Sequence, residues 1–251
     1  MPEARLVAAV ELRIYTAFLP QGLTYQPDDV CIVIDAIRAG ATLTAMAEAG
    51  DPVVYLAASA EHARRFRDGS NPGALLGGET GGLAPAGFDL GNSPAEWAKR
   101  DLRGAEVVFG TSNGTRAVAR CSNASHVLVA SFNNVTAVAR LAGELAGESV
   151  KIVCAGQGDL IALDDAVCAG LIARELVDAG GEAADSAVMA IALAGHFDDI
   201  PALLHQSESG RRLLNVGYDS DLDWCARVDI SEKVPQLAKE GVTAERRLLL
   251  A

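Results

Sequence analysis

Val30-Cys31-Ile32-Val33-Ile34-Asp35-Ala36-Ile37-Arg38 begins with five apolar residues and then stops on an acid. An unbroken apolar run of this length suits a strand buried on both faces, whereas a half-exposed strand would alternate with polar residues. Four further runs have the same character: Val53-Val54-Tyr55-Leu56, Val107-Val108-Phe109, Val127-Leu128-Val129 and Val150-Lys151-Ile152-Val153-Cys154. Helical patterns lie among and after them, over Ala41 to Ala49, Ser59 to Arg67, Asn113 to Arg120, Val135 to Leu145 and Leu163 to Ala179. This alternation predicts an α/β fold with a largely parallel sheet covered by helices on both faces. No repeat, Ser/Pro-rich linker or run of like charge divides the chain, so a single domain over residues 1–251 is expected.

Ligands of such sheets bind outside the carboxyl ends of the strands. The polar residues there are therefore candidates: Asp35 and Arg38 after one strand, and Thr111-Ser112-Asn113-Gly114-Thr115-Arg116 after another. Ser131-Phe132-Asn133-Asn134 follows a third, and Gly156-Gln157-Gly158 with Asp164-Asp165 a fourth. Asp35 can ligate a hard cation, attack a phosphoryl group, or simply pair with Arg38. The hydroxyls, amide and N–H groups around Asn113 and Gly114 suit either an anion or an ordinary helix cap. Asp164 and Asp165 open a long helix, where acids are favourable even without a ligand.

A second informative stretch is Gly77-Gly78-Glu79-Thr80-Gly81-Gly82, continuing to Gly87-Phe88-Asp89-Leu90-Gly91-Asn92-Ser93-Pro94. Its glycines allow a close approach to a ligand, and its acids can bind a metal. It reads equally as one long surface loop leading to a helix that starts at Pro94.

The net charge of -12 leaves no basic stripe, which argues against nucleic acid or an anionic membrane as partner. An anionic ligand would need its charge offset locally by a metal, by arginines or by N–H groups. No apolar run is long enough to span a bilayer, and the first residues, with Glu3 and Glu11, lack a secretory pattern, so a cytoplasmic protein is expected. The five cysteines have no close spacing, which points to buried thiols rather than disulfides or a zinc ribbon. No P-loop pattern occurs. The oxygen-rich, histidine-poor candidates favour Mg²⁺ over zinc.

The ordered series Asp35-Ala-Ile-Arg38-Ala, Gly78-Glu79, Gly87-Phe88-Asp89-Leu90-Gly91-Asn92-Ser93-Pro94, Thr111-Ser112-Asn113-Gly114-Thr115 and Asp165-Ala-Val-Cys168-Ala-Gly170 resembles the 2-phosphosulfolactate phosphatase (ComB) family. The similarity continues through Ser209-Gly210-Arg211-Arg212-Leu213, Asp221-Leu222-Asp223 and Val234-Pro235. The resemblance implies a three-layer α/β/α sandwich. It also implies Mg²⁺-dependent hydrolysis of (R)-2-phospho-3-sulfolactate to 3-sulfolactate and phosphate, a step towards coenzyme M in methanogens. On this reading Asp35 and Arg38 are catalytic, and Asn92, Ser93, Ser112, Asn113, Gly114 and Thr115 bind substrate. Asp35, Glu79, Asp89 and Asp165 are the expected metal ligands. Three departures stand out: Thr80 where the family commonly has Arg, Gly40-Ala41 where it has hydroxyl residues, and Asp164 where it usually has Glu. Threonine cannot replace the bidentate grip of arginine on an anion. The alternative to a phosphatase is an altered member serving as an anion-binding or regulatory module.

His196 is expected at an exposed helix end, and Trp97 and Trp224 as packing residues. The Ala-rich segment Asp185 to Ala194 suits either the interior or a homodimer interface.

Overall fold

The computed structural model describes residues 12–238 and 247–250. The expectation drawn from Glu3 and Glu11 falls outside these residues. The chain runs β1 (Arg13–Ala17), β2 (Val30–Ile34), α1 (Ala39–Glu48), β3 (Val53–Leu56), α2 (Ala60–Ser70), β4 (Leu75–Gly78), α3 (Pro94–Trp97), β5 (Glu106–Gly110), α4 (Gly114–Arg120), β6 (His126–Ala130), α5 (Val135–Leu145) and β7 (Ser149–Cys154). It continues through α6 (Leu163–Asp178), β8 (Glu182–Ala183), α7 (Asp185–Ala194), α8 (Ile200–Gln206), α9 (Glu208–Asn215), α10 (Asp219–Cys225), β9 (Gln236–Leu237) and β10 (Arg247–Leu250). All five apolar runs lie in strands, and each helical pattern overlaps a helix, with α1 starting two residues earlier and α2 ending three residues later than expected.

The strands form one mixed, mostly parallel sheet in the order β4-β5-β3-β10-β9-β6-β2-β7-β1-β8. The pairings are parallel except at β6 and β9, which meet antiparallel through Leu128 and Gln236. With helices on both faces, the architecture is an α/β/α sandwich.

The β2 strand shows why its apolar run is unbroken. Val30, Ile32 and Ile34 pack into one core cluster with α5 and α6, including Val138, Cys168 and Ile172. Cys31 and Val33 point the other way, into a cluster with Leu43 and Met46 of α1 and Val118 of α4. Both faces of the strand are dry, so a polar residue is tolerated only beyond its end, at Asp35.

The glycine-rich stretch is not one long loop. Leu75–Gly78 is an edge strand paired with β5. Its glycines serve close packing: a β-carbon on Gly77 would lie 2.4 Å from the Trp97 ring, and one on Gly78 would lie 2.0 Å from the Gly110 carbonyl oxygen. Gly78 also has φ of 129°, a conformation that disfavours other residues. The helix expected at Pro94 is present and is capped by Ser93, whose Oγ accepts from the Glu96 N–H at 3.2 Å.

All five cysteines are free and buried. Trp97 is fully buried, as expected of a packing residue. Among the described residues, no helix is long and apolar enough to cross a membrane.

Candidate active site

The end of β2 delivers Asp35 to the floor of a cavity of about 510 Å³. The carboxylate is held from two sides. Its Oδ1 accepts from the Ala39 N–H at 3.1 Å, and a further hydrogen bond comes from the Gly114 N–H at the start of α4. Burial, with the charges of Glu79 and Asp164 beside it, pushes this carboxyl up to about 7 against the opposing pull of the two N–H donors.

Arg38 lies at the head of α1, but it does not pair with Asp35. Its Nη1 donates to Asp221 Oδ2 at 2.7 Å and its Nη2 to the Gly82 carbonyl at 2.6 Å, and the guanidinium stacks 4.4 Å from the centre of the Tyr218 ring. Both charged side chains are buried. Asp221 accepts a second bond from Ser93 Oγ at 2.5 Å. A buried ion pair of this kind survives only when its remaining lone pairs and protons are satisfied. Ser93 and Tyr218 supply that support, so Ser93 belongs to the structure behind Arg38 rather than to the cavity surface.

Glu79, just beyond the β4 edge strand, lines the cavity and accepts from the Ser112 N–H at 2.7 Å and the Gly82 N–H at 2.8 Å. These bonds tie the glycine turn to the loop after β5. Ser112 and Asn113 also line the cavity, and Asn113 Oδ1 accepts from the Gly158 N–H at 3.1 Å. Gly114 stands behind Asp35. Thr115 is buried and exchanges hydrogen bonds with Thr111, so its hydroxyl is internal. Asn92 reaches the cavity wall with Oδ1 buried and unpartnered among the described residues.

The two adjacent acids of α6 have different surroundings. Asp165 accepts from the Ala36 N–H at 2.8 Å and the Gly156 N–H at 2.9 Å, one bond to each oxygen, and so pins the chain ends after β2 and β7 together. Burial, with the charges of Asp164 and Asp35, holds its carboxyl well above the usual range. Asp164 accepts from Ser209, but its Oδ1 is buried without a partner among the described residues, and burial raises its carboxyl to about 6. Asp89 lies apart: it is exposed, caps the Leu76 N–H at 2.7 Å, and borders a separate depression with Glu96, Lys99 and Arg100. Thr80 is also exposed and does not line the cavity.

Of the expected metal ligands, Asp35 and Glu79 thus face the cavity, Asp165 is committed to backbone, and Asp89 is remote. Among the described residues, no three acid, His or Cys side chains converge into a complete metal cage. The donor chemistry nonetheless fits a hard cation. Asp35 and Glu79 present carboxylate oxygens to the cavity, and the orphaned Asp164 Oδ1 and Asn92 Oδ1 are buried acceptors. Mg²⁺ commonly uses one or two carboxylates and completes its shell with water and substrate phosphate.

Three arginines share the cavity walls with these acids: Arg38, Arg116 and Arg212. Asp221 and Arg212 were not among the site candidates read from sequence, whereas Asp164 and Arg116 were named among the polar residues after the strands without a role of their own. For Asp221 no local signal exists, because it lies 183 positions from Arg38. For Asp164 the acidic pair was visible, but not which of the two acids had a spare oxygen.

A model of the family described as 2-phosphosulpholactate phosphatase matches residues 18–240. A protein named probable 2-phosphosulfolactate phosphatase from Thermus thermophilus is 43% identical over 211 residues, covering 83% of this chain and 88% of its own. A Deinococcus radiodurans protein of the same name is 38% identical over 228 residues, covering 90% and 93%. One from Thermosynechococcus vestitus is 36% identical over 234 residues, covering 89% and 96%.

Proposed function

Because this chain belongs to the 2-phosphosulpholactate phosphatase family, a family of phosphoric monoester hydrolases, we propose that it hydrolyses (R)-2-phospho-3-sulfolactate in a Mg²⁺-dependent reaction. Water adds to phosphorus, the bond from phosphorus to the 2-oxygen breaks, that oxygen takes a proton, and 3-sulfolactate and phosphate leave. The observation that carries this reading is the buried Asp35 carboxylate on the floor of a cavity whose walls also bring in arginines. Such a site suits a phosphate that must meet both acids and cations.

The uncatalysed reaction is so slow that the site must lower the barrier by about 20 kcal/mol, mainly through positioning and charge stabilisation. Asp35 and Glu79 are the carboxylates that would hold Mg²⁺, with water and substrate completing its shell. When it is bound, the chemistry it supplies is neutralisation of charge on the phosphoryl oxygens. Asp35 must be ionised for its part, and the Ala39 and Gly114 N–H groups favour that form. Arg38, locked in place by Asp221 and Tyr218, presents its remaining N–H groups to the cavity, where phosphoryl oxygens are bound without reorganisation. Ser112 and Asn113 complete the polar wall.

The test is phosphate release from 2-phosphosulfolactate, 2-phospholactate and a panel of phosphorylated hydroxy acids, with Mg²⁺ and with chelator, for the native chain and Asp35→Asn. Metal-dependent turnover that Asp35→Asn abolishes is expected. If no substrate behaves in this way, the phosphatase reading fails.

A further inference from the structure

Helix α9 forms one wall of the cavity with a single face. Ser209, Arg212, Leu213 and Val216 line it, spaced i, i+3, i+4 and i+7, with Val216 at the helix end. Arg212 is the one cation of that face. Arg116 of α4 contributes a second cation to the lining. Neither is consumed as Arg38 is. The exposed Arg116 side chain makes no hydrogen bond or ion pair among the described residues. Arg212 pairs at 2.6 Å with Glu208, but both side chains are more than half exposed, and surface pairs of this kind contribute little and are easily exchanged for a ligand.

The charges lining the cavity now sort by task. Asp35, Glu79 and Arg38 sit with the reacting phosphate, and Arg38 is already neutralised by Asp221. A phosphorylated acid brings at least one further anion into a chain of net charge -12, and that anion needs its own cation. We infer that Arg116 and Arg212 bind the non-phosphate acidic group of the substrate, a sulfonate or carboxylate, and so determine the preference for phosphorylated acids over uncharged phosphomonoesters. The planar guanidinium fork suits either group. This inference rests on the phosphatase reading and deepens it.

The experiment uses Arg116→Gln, Arg212→Gln, Arg212→Lys and Glu208→Gln in the full chain. For each, kcat/KM is measured on 2-phosphosulfolactate and on p-nitrophenyl phosphate, together with direct binding of 3-sulfolactate by calorimetry. Each Arg→Gln variant is expected to lose roughly 10- to 100-fold in kcat/KM on 2-phosphosulfolactate, mostly through KM, with little change on p-nitrophenyl phosphate. Sulfolactate binding should weaken in parallel. Arg212→Lys should recover part of the loss, and Glu208→Gln should leave the preference intact. An equal loss on both substrates, or undiminished sulfolactate binding in both Arg→Gln variants, overturns the inference even when the native chain is an active phosphatase. Native protein that neither turns over substrate nor binds sulfolactate would instead overturn the underlying reading, and the inference with it.

Discussion

Gly114 lies so close to Asp35 that a β-carbon on it would fall 2.7 Å from Asp35 Oδ2. The residue that donates its N–H to the carboxylate thus also has to be the smallest. Gly114→Ala is expected to push the carboxylate aside and lower kcat by about 100-fold, the scale on which displacements near 1 Å act. Steady-state kinetics beside a denaturation curve checks this: a fall in kcat no larger than the accompanying loss of folded protein would contradict it.

Asp221→Ala should destabilise the fold by about 3–5 kcal/mol, because it leaves the Arg38 guanidinium buried without a counter-charge. Urea unfolding measures the loss. A change below about 1 kcal/mol would mean that Arg38 finds another partner.

The pH dependence follows from the raised carboxyls of Asp35, to about 7, and Asp164, to about 6. Unfolded aspartate titrates near 3.9, so between roughly pH 4 and 7 the folded chain holds more protons than the unfolded one. Metal-free stability should therefore be greatest at the acidic end of that window and fall as pH rises through it. Thermal unfolding in chelator reads the slope, which Asp164→Asn should flatten; an unchanged slope in that variant would refute the assignment.

Mg²⁺ should act in the opposite direction. Bound by ionised carboxylates, it should raise Tm by roughly 5–10 °C at a hundredfold excess over Kd near pH 8, and by much less near pH 5. Equal shifts at both pH values would indicate binding elsewhere.

Gly40 is one of the positions where a hydroxyl residue is expected from the resemblance. A β-carbon there would lie 2.2 Å from the Ala130 carbonyl oxygen. Gly40→Ser should therefore destabilise by about 1–3 kcal/mol through overpacking, without raising activity above that of the native chain. Matched melting and activity curves decide this.

What the sequence revealed follows from where its signals are local. The Val30–Ile34 strand and the Ser93–Pro94 helix start are written in adjacent residues, so both were readable. The β4 strand was hidden because Gly77 and Gly78 carry turn-like composition, although the Trp97 ring and the Gly110 carbonyl are what demand them. Asp35 and Asn113 were legible because each follows a readable strand, and Glu79 because it is an acid set among glycines in a segment that resembles the family. The Arg38–Asp221 pair was not, since nothing near either residue announces the other. Asp164 and Asp165 share one helical turn, and only tertiary packing reveals that one is sealed by N–H groups and the other keeps a bare oxygen.

The antiparallel contact of Leu128 with Gln236 has a consequence for heat inactivation. It is the seam between two parallel half-sheets. Asp35 grows from one half, while Glu79, Ser112 and Gly114 grow from the other. The reacting centre is therefore a keystone laid across a joint, and its alignment is only as durable as that joint. On warming, turnover should disappear before the far-UV circular dichroism of either half begins to change.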